Sequence, residues 1–363
     1  MKKYVKIYNK IKSDITDGSI SFGQKLPSKR ISAELFNSSV ITVETAYGIL
    51  ESEGYIEARE RSGYYVCYSA SETINETARQ TSDLSFGIND RFLKENAVKN
   101  AAESEYFSFT AYSQALRSAI NDFGETLTKK TPVSGAFELR HAIKNYLKTS
   151  RNITTSENNI VIGAGAEYLY GLIIKILGTN ITYAIESPSY EKIEKVYELN
   201  GVKPEKLKLG KNGILWEELK KSNAQILHVT PYRSYPTGVT ASASKKAEYL
   251  LKATEKRGYI IEDDYESEFS LSAHLTETLF GKCTNDRVIY VNTFSKTIFP
   301  SIRTAYMILP IDLAARFYDK FGDLSCPVPA LEQFTLAKII ADGSFTRHLN
   351  RVRRARRKKQ PPL

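Results

Sequence analysis

The sequence predicts an α/β chain in two units: a small helical unit closed by a β-hairpin, then a large unit with a mostly parallel sheet covered by helices. Three observations predict it. Over the first fifty residues apolar side chains recur at helical spacing, and they give way to two short strand-like runs. A polar stretch from Ser69 to Ser82 follows. Beyond it, short apolar runs alternate with helical patterns, as strands joined by helical crossovers do. At 363 residues, 42% of them hydrophobic, the chain is long enough to bury a large core.

Tyr4, Ile7, Tyr8, Ile11 and Ile15 mark an opening amphipathic helix, which Asp17-Gly18-Ser19 ends. Ser28 is the expected N-cap of a second short helix running to Phe36. Asn37-Ser38-Ser39 turns the chain into a third helix that carries Ile41, Val43, Ala46, Ile49 and Leu50 to Ser52. Two helices joined by so short a turn form a helix-turn-helix. Residues 55–59 and 64–67 read as the strands of a wing around Arg61-Ser62-Gly63. The expected boundaries are 1–68 for the winged helix-turn-helix, 69–83 for a linker and 84–363 for the large unit. Within the latter, strands are expected at 159–162, 181–185 and 225–229, with helices at 166–177 and 243–256.

Charge and cysteine usage narrow the class of protein. The net charge is +10, but eight basic residues and no acid lie from Arg347 to the end, so the rest of the chain is nearly balanced. That basic run fits a solvated helix face as well as a nucleic-acid contact. Cys67, Cys283 and Cys326 lack metal-ligand spacing and suit a reducing compartment. No segment reads as a signal peptide or a membrane span, so a cytoplasmic location is expected, with no metal site.

The chemistry concentrates where two apolar runs end. The run from Gly258 delivers Asp263, Asp264 and Tyr265; the run from Val288 delivers Thr293 and Lys296, followed by Arg303. In open α/β sheets ligands bind beyond such strand ends. An acid, a phenol, a lysine and an arginine meet the needs of pyridoxal 5'-phosphate (PLP). Asp263 would face the ring nitrogen, Tyr265 the phenolate oxygen, and Thr293 and Arg303 the phosphate, while Lys296 would form the Schiff base, favoured by desolvation. Gly163-Ala164-Gly165-Ala166, between a strand and a helix, would cradle the phosphate through Gly165 and Ala166, and Tyr190 would stack on the ring. Singly, each has a plainer reading: a turn cap for Asp263, a surface lysine, a half-buried aromatic for Tyr190, an ion pair for Arg303. In the small unit Lys29, Arg30, Arg59 and Arg61 cluster on elements that would face a duplex.

Lys25-Leu26-Pro27-Ser28-Lys29-Arg30, Thr42-Val43, Ala46-Tyr47, Leu50, Glu53-Gly54-Tyr55 and Ser62-Gly63 together resemble the winged helix of GntR-type transcription regulators. The resemblance implies double-stranded DNA as a partner, with contacts among Lys29, Arg30, Ser39, Thr42, Arg61 and Gly63. Two positions depart from that family: an arginine usual after the helix-starting serine is Val40, and a frequently basic position is Glu44. Losing a bidentate base reader costs about 1–3 kcal/mol of discrimination.

Gly135 with Leu139-Arg140, Pro188 with Tyr190, Thr230-Pro231, Tyr235-Pro236-Thr237-Gly238, the run Asp263 to Phe269 and Thr293-Phe294-Ser295-Lys296-Thr297 extend the likeness. The chain resembles the MocR-type subfamily, which joins a winged helix to a fold-type I, aminotransferase-like PLP domain. By that resemblance Lys296 holds the cofactor, Asp263 and Tyr265 contact its ring and Arg303 its phosphate. Where the family has a His-Gln pair before Pro236, this chain has Arg233-Ser234. The implied function is a PLP-dependent, dimeric transcription regulator that senses an amino acid, an amine or PLP itself by aldimine exchange at Lys296, with no catalytic residues. The alternatives are a working aminotransferase, or a shortened remnant with little cofactor binding. Gly343 to Arg354 resembles the entry to the long helix before the small C-terminal subdomain, most of which is expected to be lacking.

Overall fold

The computed structural model describes residues 2–60, 62–68, 107–270 and 277–359, so Arg61 and the expected linker at 69–83 lie outside the described residues. The chain divides into two compact units. In the first, helices span Lys3–Thr16, Lys29–Leu35 and Val40–Ser52, and strands β1 (Ile56–Arg59) and β2 (Gly63–Val66) pair antiparallel. The four-residue spacing of Ile7, Ile11 and Ile15 puts all three on one buried face, packed with Val43, Ala46, Tyr47 and Leu50 of the third helix. Ser28 and Ser39 cap their helices by accepting from the backbone N–H of Ile31 and Thr42. One residue of the apolar set behaves otherwise: Ile41 is not core but 75% exposed.

The second unit holds an eight-stranded sheet among its described residues, ordered β3-β10-β9-β8-β7-β4-β5-β6. The strands are β3 (Ile160–Gly163), β4 (Tyr183–Ser187), β5 (Glu205–Gly210), β6 (Gly213–Ile214), β7 (Ile226–Val229), β8 (Tyr259–Asp263), β9 (Val288–Thr293) and β10 (Ala305–Ile308). Strands β5, β4, β7, β8 and β9 run parallel, whereas β10 runs antiparallel to both of its neighbours. The expected mostly parallel sheet is therefore present, with β4 starting two residues later than its apolar run suggests.

Period-two alternation sends successive strand residues to opposite faces. Ile160, Ile162, Tyr290 and Tyr306 pack with the helices Phe137–Arg151, Ala330–Ala341 and Ser344–Lys359. Val161, Ile289, Val291 and Met307 pack on the other side with Ala166–Leu177, Glu191–Leu199 and Ile311–Phe321. Because both faces are covered, the central strands read as continuous apolar runs. Gly135 and Arg140 serve this scaffold: the guanidinium donates to the carbonyls of Gly135 and Glu157, and a Cβ at Gly135 would strike Ile162.

Candidate cofactor site and nucleic-acid interface

The sheet brings the predicted cofactor residues together at one set of strand ends. Asp263 closes β8 opposite Val291 of β9, and Lys296 follows β9 by three residues, in a short helix spanning Phe294–Thr297. Ala305, the first residue of β10, pairs with Thr293 on one side and Gly163 on the other. The antiparallel strand therefore carries Arg303, just before it, to the start of the helix after β3.

That meeting point has the features of an anion cradle. Gly165 has φ +95°, and a Cβ built there would lie 2.4 Å from Nη2 of Arg303. Only a glycine leaves room for the guanidinium. Gly165 gives the Ala166–Leu177 helix no side-chain cap, so its first-turn N–H groups remain donors, as anion sites require. Arg303 pairs with Glu167 at 3.5 Å, and the buried Ser295 hydroxyl has no hydrogen-bond partner. Thr293 is placed differently from its expected role: its Oγ1 accepts from the Ser295 N–H at 3.1 Å and caps the Lys296 helix. Ser295, not singled out from the sequence, is the hydroxyl with a bond to offer.

On the ring side, Asp263 is fully buried and its Oδ2 accepts a 2.7 Å hydrogen bond from the Tyr170 hydroxyl. Burial raises its carboxyl to about 7, against the pull of that hydrogen bond, and nearby Asp264 adds to the rise. No cation pairs with Asp263 among the described residues, so the site has a carboxylate in want of one. Asp264 faces elsewhere, paired with the buried Arg151 and accepting from the Tyr290 hydroxyl at 2.6 Å. The Tyr190 ring is partly exposed and meets Tyr235 edge-on, 5.9 Å between centroids. Tyr265 directs its hydroxyl to the Arg233 carbonyl at 3.0 Å instead of leaving it open. Lys296 also departs from expectation: it is exposed, where desolvation was expected.

These donors fit PLP on the structure's own terms. The unpaired buried acid suits a protonated ring nitrogen, and the cradle at Gly165, Ser295 and Arg303 suits a phosphate. Sequence reasoning missed Tyr170 as well as Ser295, since a tyrosine inside an apolar helix gives no sign of where its hydroxyl points.

A second buried acid lies close by. The Ser234 hydroxyl donates to Glu186 Oε2 at 2.6 Å, and burial pushes that carboxyl up to about 8. The consequence for stability has a definite sign. Between pH 4.5 and 8 the folded Glu186 keeps a proton that the unfolded chain gives up, so stability falls as pH rises through that window. Buried His228, pushed down to about 3 from 6.5, acts oppositely but only below pH 6.5. The cofactor-free protein is therefore expected to lose melting temperature between pH 6.5 and 8. Calorimetry should show a shallower fall for Glu186→Gln; an equal fall would refute the assignment.

In the small unit, the Ser39 and Thr42 hydroxyls bond to one another at 2.8 Å at the start of the third helix. Gly63 takes φ +115° in the wing, where Lys25 Cε lies 3.2 Å from the position of a Cβ. Arg30 is exposed, but Lys29 is tied to Glu44 at 2.5 Å. Arg59 pairs with Glu57 and lies 4.4 Å over the Tyr65 ring.

Comparison with known proteins agrees with both halves. The bacterial regulatory protein gntR family matches residues 3–66, and the aminotransferase class I and II family matches residues 85–356. The HTH-type transcriptional regulator YdeL of Bacillus subtilis is 31% identical over 98% of this chain and 77% of its own length. The probable rhizopine catabolism regulatory protein MocR of Rhizobium meliloti is 27% identical over 96% of this chain and 73% of that protein. Among solved structures, an archaeal alanine:glyoxylate aminotransferase matches with a TM-score of 0.64 at 21% identity, covering 71% of this chain and 69% of its own.

Proposed function

The chain belongs to the MocR-type branch of the GntR family, a winged helix joined to an aminotransferase class I and II domain, and from that membership we propose that this DNA-binding regulator senses a small amino-bearing molecule through PLP held at Lys296. The observation that carries the cofactor half is the buried carboxylate of Asp263, without a cation partner among the described residues, at the strand end next to that of Lys296. Bound PLP supplies an electrophilic carbon to which one primary amine at a time can attach. Asp263 keeps a proton on the ring nitrogen, and Tyr170 holds Asp263 in position. Tyr190 covers a face of the ring. Arg303, the Ser295 hydroxyl and the first N–H groups of the Ala166–Leu177 helix bind the phosphate.

An amino acid or an amine would act as effector by competing with the Lys296 amine for the cofactor, whereas PLP itself, which carries no amine, would act by filling the site. Such a molecule shifts DNA affinity only by as much as it prefers one arrangement of the protein over another. A homodimer is the form in which two winged units would address two half-sites.

Borohydride reduction of the PLP-treated full chain, followed by peptide mass analysis, is expected to find the cofactor's mass on Lys296 and none in Lys296→Ala. Label elsewhere, or none, would refute the cofactor assignment. Sustained transamination of any amino donor would replace the sensor by an enzyme.

A further inference from the structure

The third helix, Val40–Ser52, contains no Arg, Lys, His, Asn or Gln. The side chains that read guanine and adenine bidentately are thus absent from the element that a helix-turn-helix lays in the major groove. Its exposed face carries Ile41, Glu44, Thr45 and Gly48, which recur at helical spacing, and Val40 stands at its first turn. Val40 is 41% exposed and Ile41 75% exposed. Glu44, the one carboxylate among them, is held in an ion pair by Lys29, and the Thr45 hydroxyl is turned back to the Ile41 carbonyl at 2.9 Å. The N–H groups of Val40 and Ile41 precede the first capped N–H, that of Thr42, and remain available for a backbone phosphate. What is left for base readout is hydrocarbon, and the base-edge feature that hydrocarbon recognises in the major groove is the thymine 5-methyl group.

We propose that Ile41, with Val40 and the methyl of Thr45, reads thymine methyl groups, so that this protein selects A·T-rich half-sites by apolar contact. The inference rests on the DNA-binding reading of the small unit and names what that unit recognises. Arg30, which is exposed, and the wing then fix position on the phosphates without choosing sequence. Leu35 of the preceding helix, also exposed, lies outside the proposed contact.

Duplex selection with the full chain, followed by replacement of each selected thymine with uracil, tests this directly, because uracil lacks only the methyl. Selected sites are expected to be rich in A·T pairs, and each contacted methyl removed should weaken binding about fourfold. Ile41→Ala should abolish the thymine-over-uracil preference at one position while leaving the salt dependence unchanged, and Leu35→Ala should leave the preference intact. Sequence-selective binding that ignores the thymine-to-uracil change, or a G·C consensus, would overturn the inference while leaving the regulator reading intact. If Ile41→Ala has no effect on any DNA and instead abolishes capture of a protein, the face is a protein contact and the inference fails. Absence of DNA binding even at low salt would sink the regulator reading itself.

Discussion

Asp263→Asn is expected to weaken PLP binding by about a hundredfold or more, because a neutral amide would then face a cationic ring inside a buried site. The substitution preserves the fold: asparagine still offers an oxygen to the Tyr170 hydroxyl that now bonds to Asp263. Spectral titration of the cofactor-free variant with PLP gives the affinity, and denaturant unfolding checks that stability has not collapsed. An unchanged affinity would show that the carboxylate does not serve the ring nitrogen. The neighbouring Asp264→Asn makes the contrasting case. Asp264 is bound to Arg151 and Tyr290, so its loss leaves a buried guanidinium uncompensated and should reduce stability, with cofactor affinity affected only through the fold.

Gly258→Ala is expected to be the most damaging of the conservative changes to the scaffold. A Cβ at this position would lie 1.7 Å from the carbonyl oxygen of Gln225, which is backbone and cannot swing aside. The same oxygen accepts from the Tyr259 N–H at 3.0 Å, immediately before β7 and β8 pair at Ile226 and Tyr259. Separating the strands there would displace the strand that ends in Asp263. A loss of about 3 kcal/mol or more is expected, at or beyond the upper end for overpacking. Chemical denaturation measures it, and a loss below 1 kcal/mol would mean that the two strands can part at little cost.

Much of the fold was legible because its signals are local. Ser28 and Ser39 announce the helices they cap, and Ile7, Ile11 and Ile15 announce a buried face. The placing of Asp263 and Lys296 at the ends of neighbouring strands was legible because polar groups follow the apolar runs. Other features depend on tertiary placement that spacing does not encode. The direction of β10 follows from packing between β3 and β9, so the sequence gives no warning that Arg303 meets Gly165. Desolvation of Lys296 was inferred from the buried strand before it, but the residue, in the short helix Phe294–Thr297, is exposed. Thr293 and Tyr265 have the right chemistry, and local geometry commits their hydroxyls to the backbone. Ile41 misled in an instructive way: an apolar residue within a helical pattern counts as core until the structure shows it facing outward.

The reversal of β10 has a consequence for how the site can vary. It leaves the lysine proposed to anchor one end of the cofactor and the arginine proposed to anchor the other on a single stretch of eight residues, Lys296 to Arg303. The carboxylate proposed to face the ring sits on a separate strand, 33 positions before Lys296. Grip and tuning are therefore carried by different pieces of chain. A single insertion between Thr297 and Ile302 would move the guanidinium off Gly165 and leave Asp263 and its phenol undisturbed, so in the proposed site the length of one short loop would set how firmly the cofactor is held, independently of how its ring is poised.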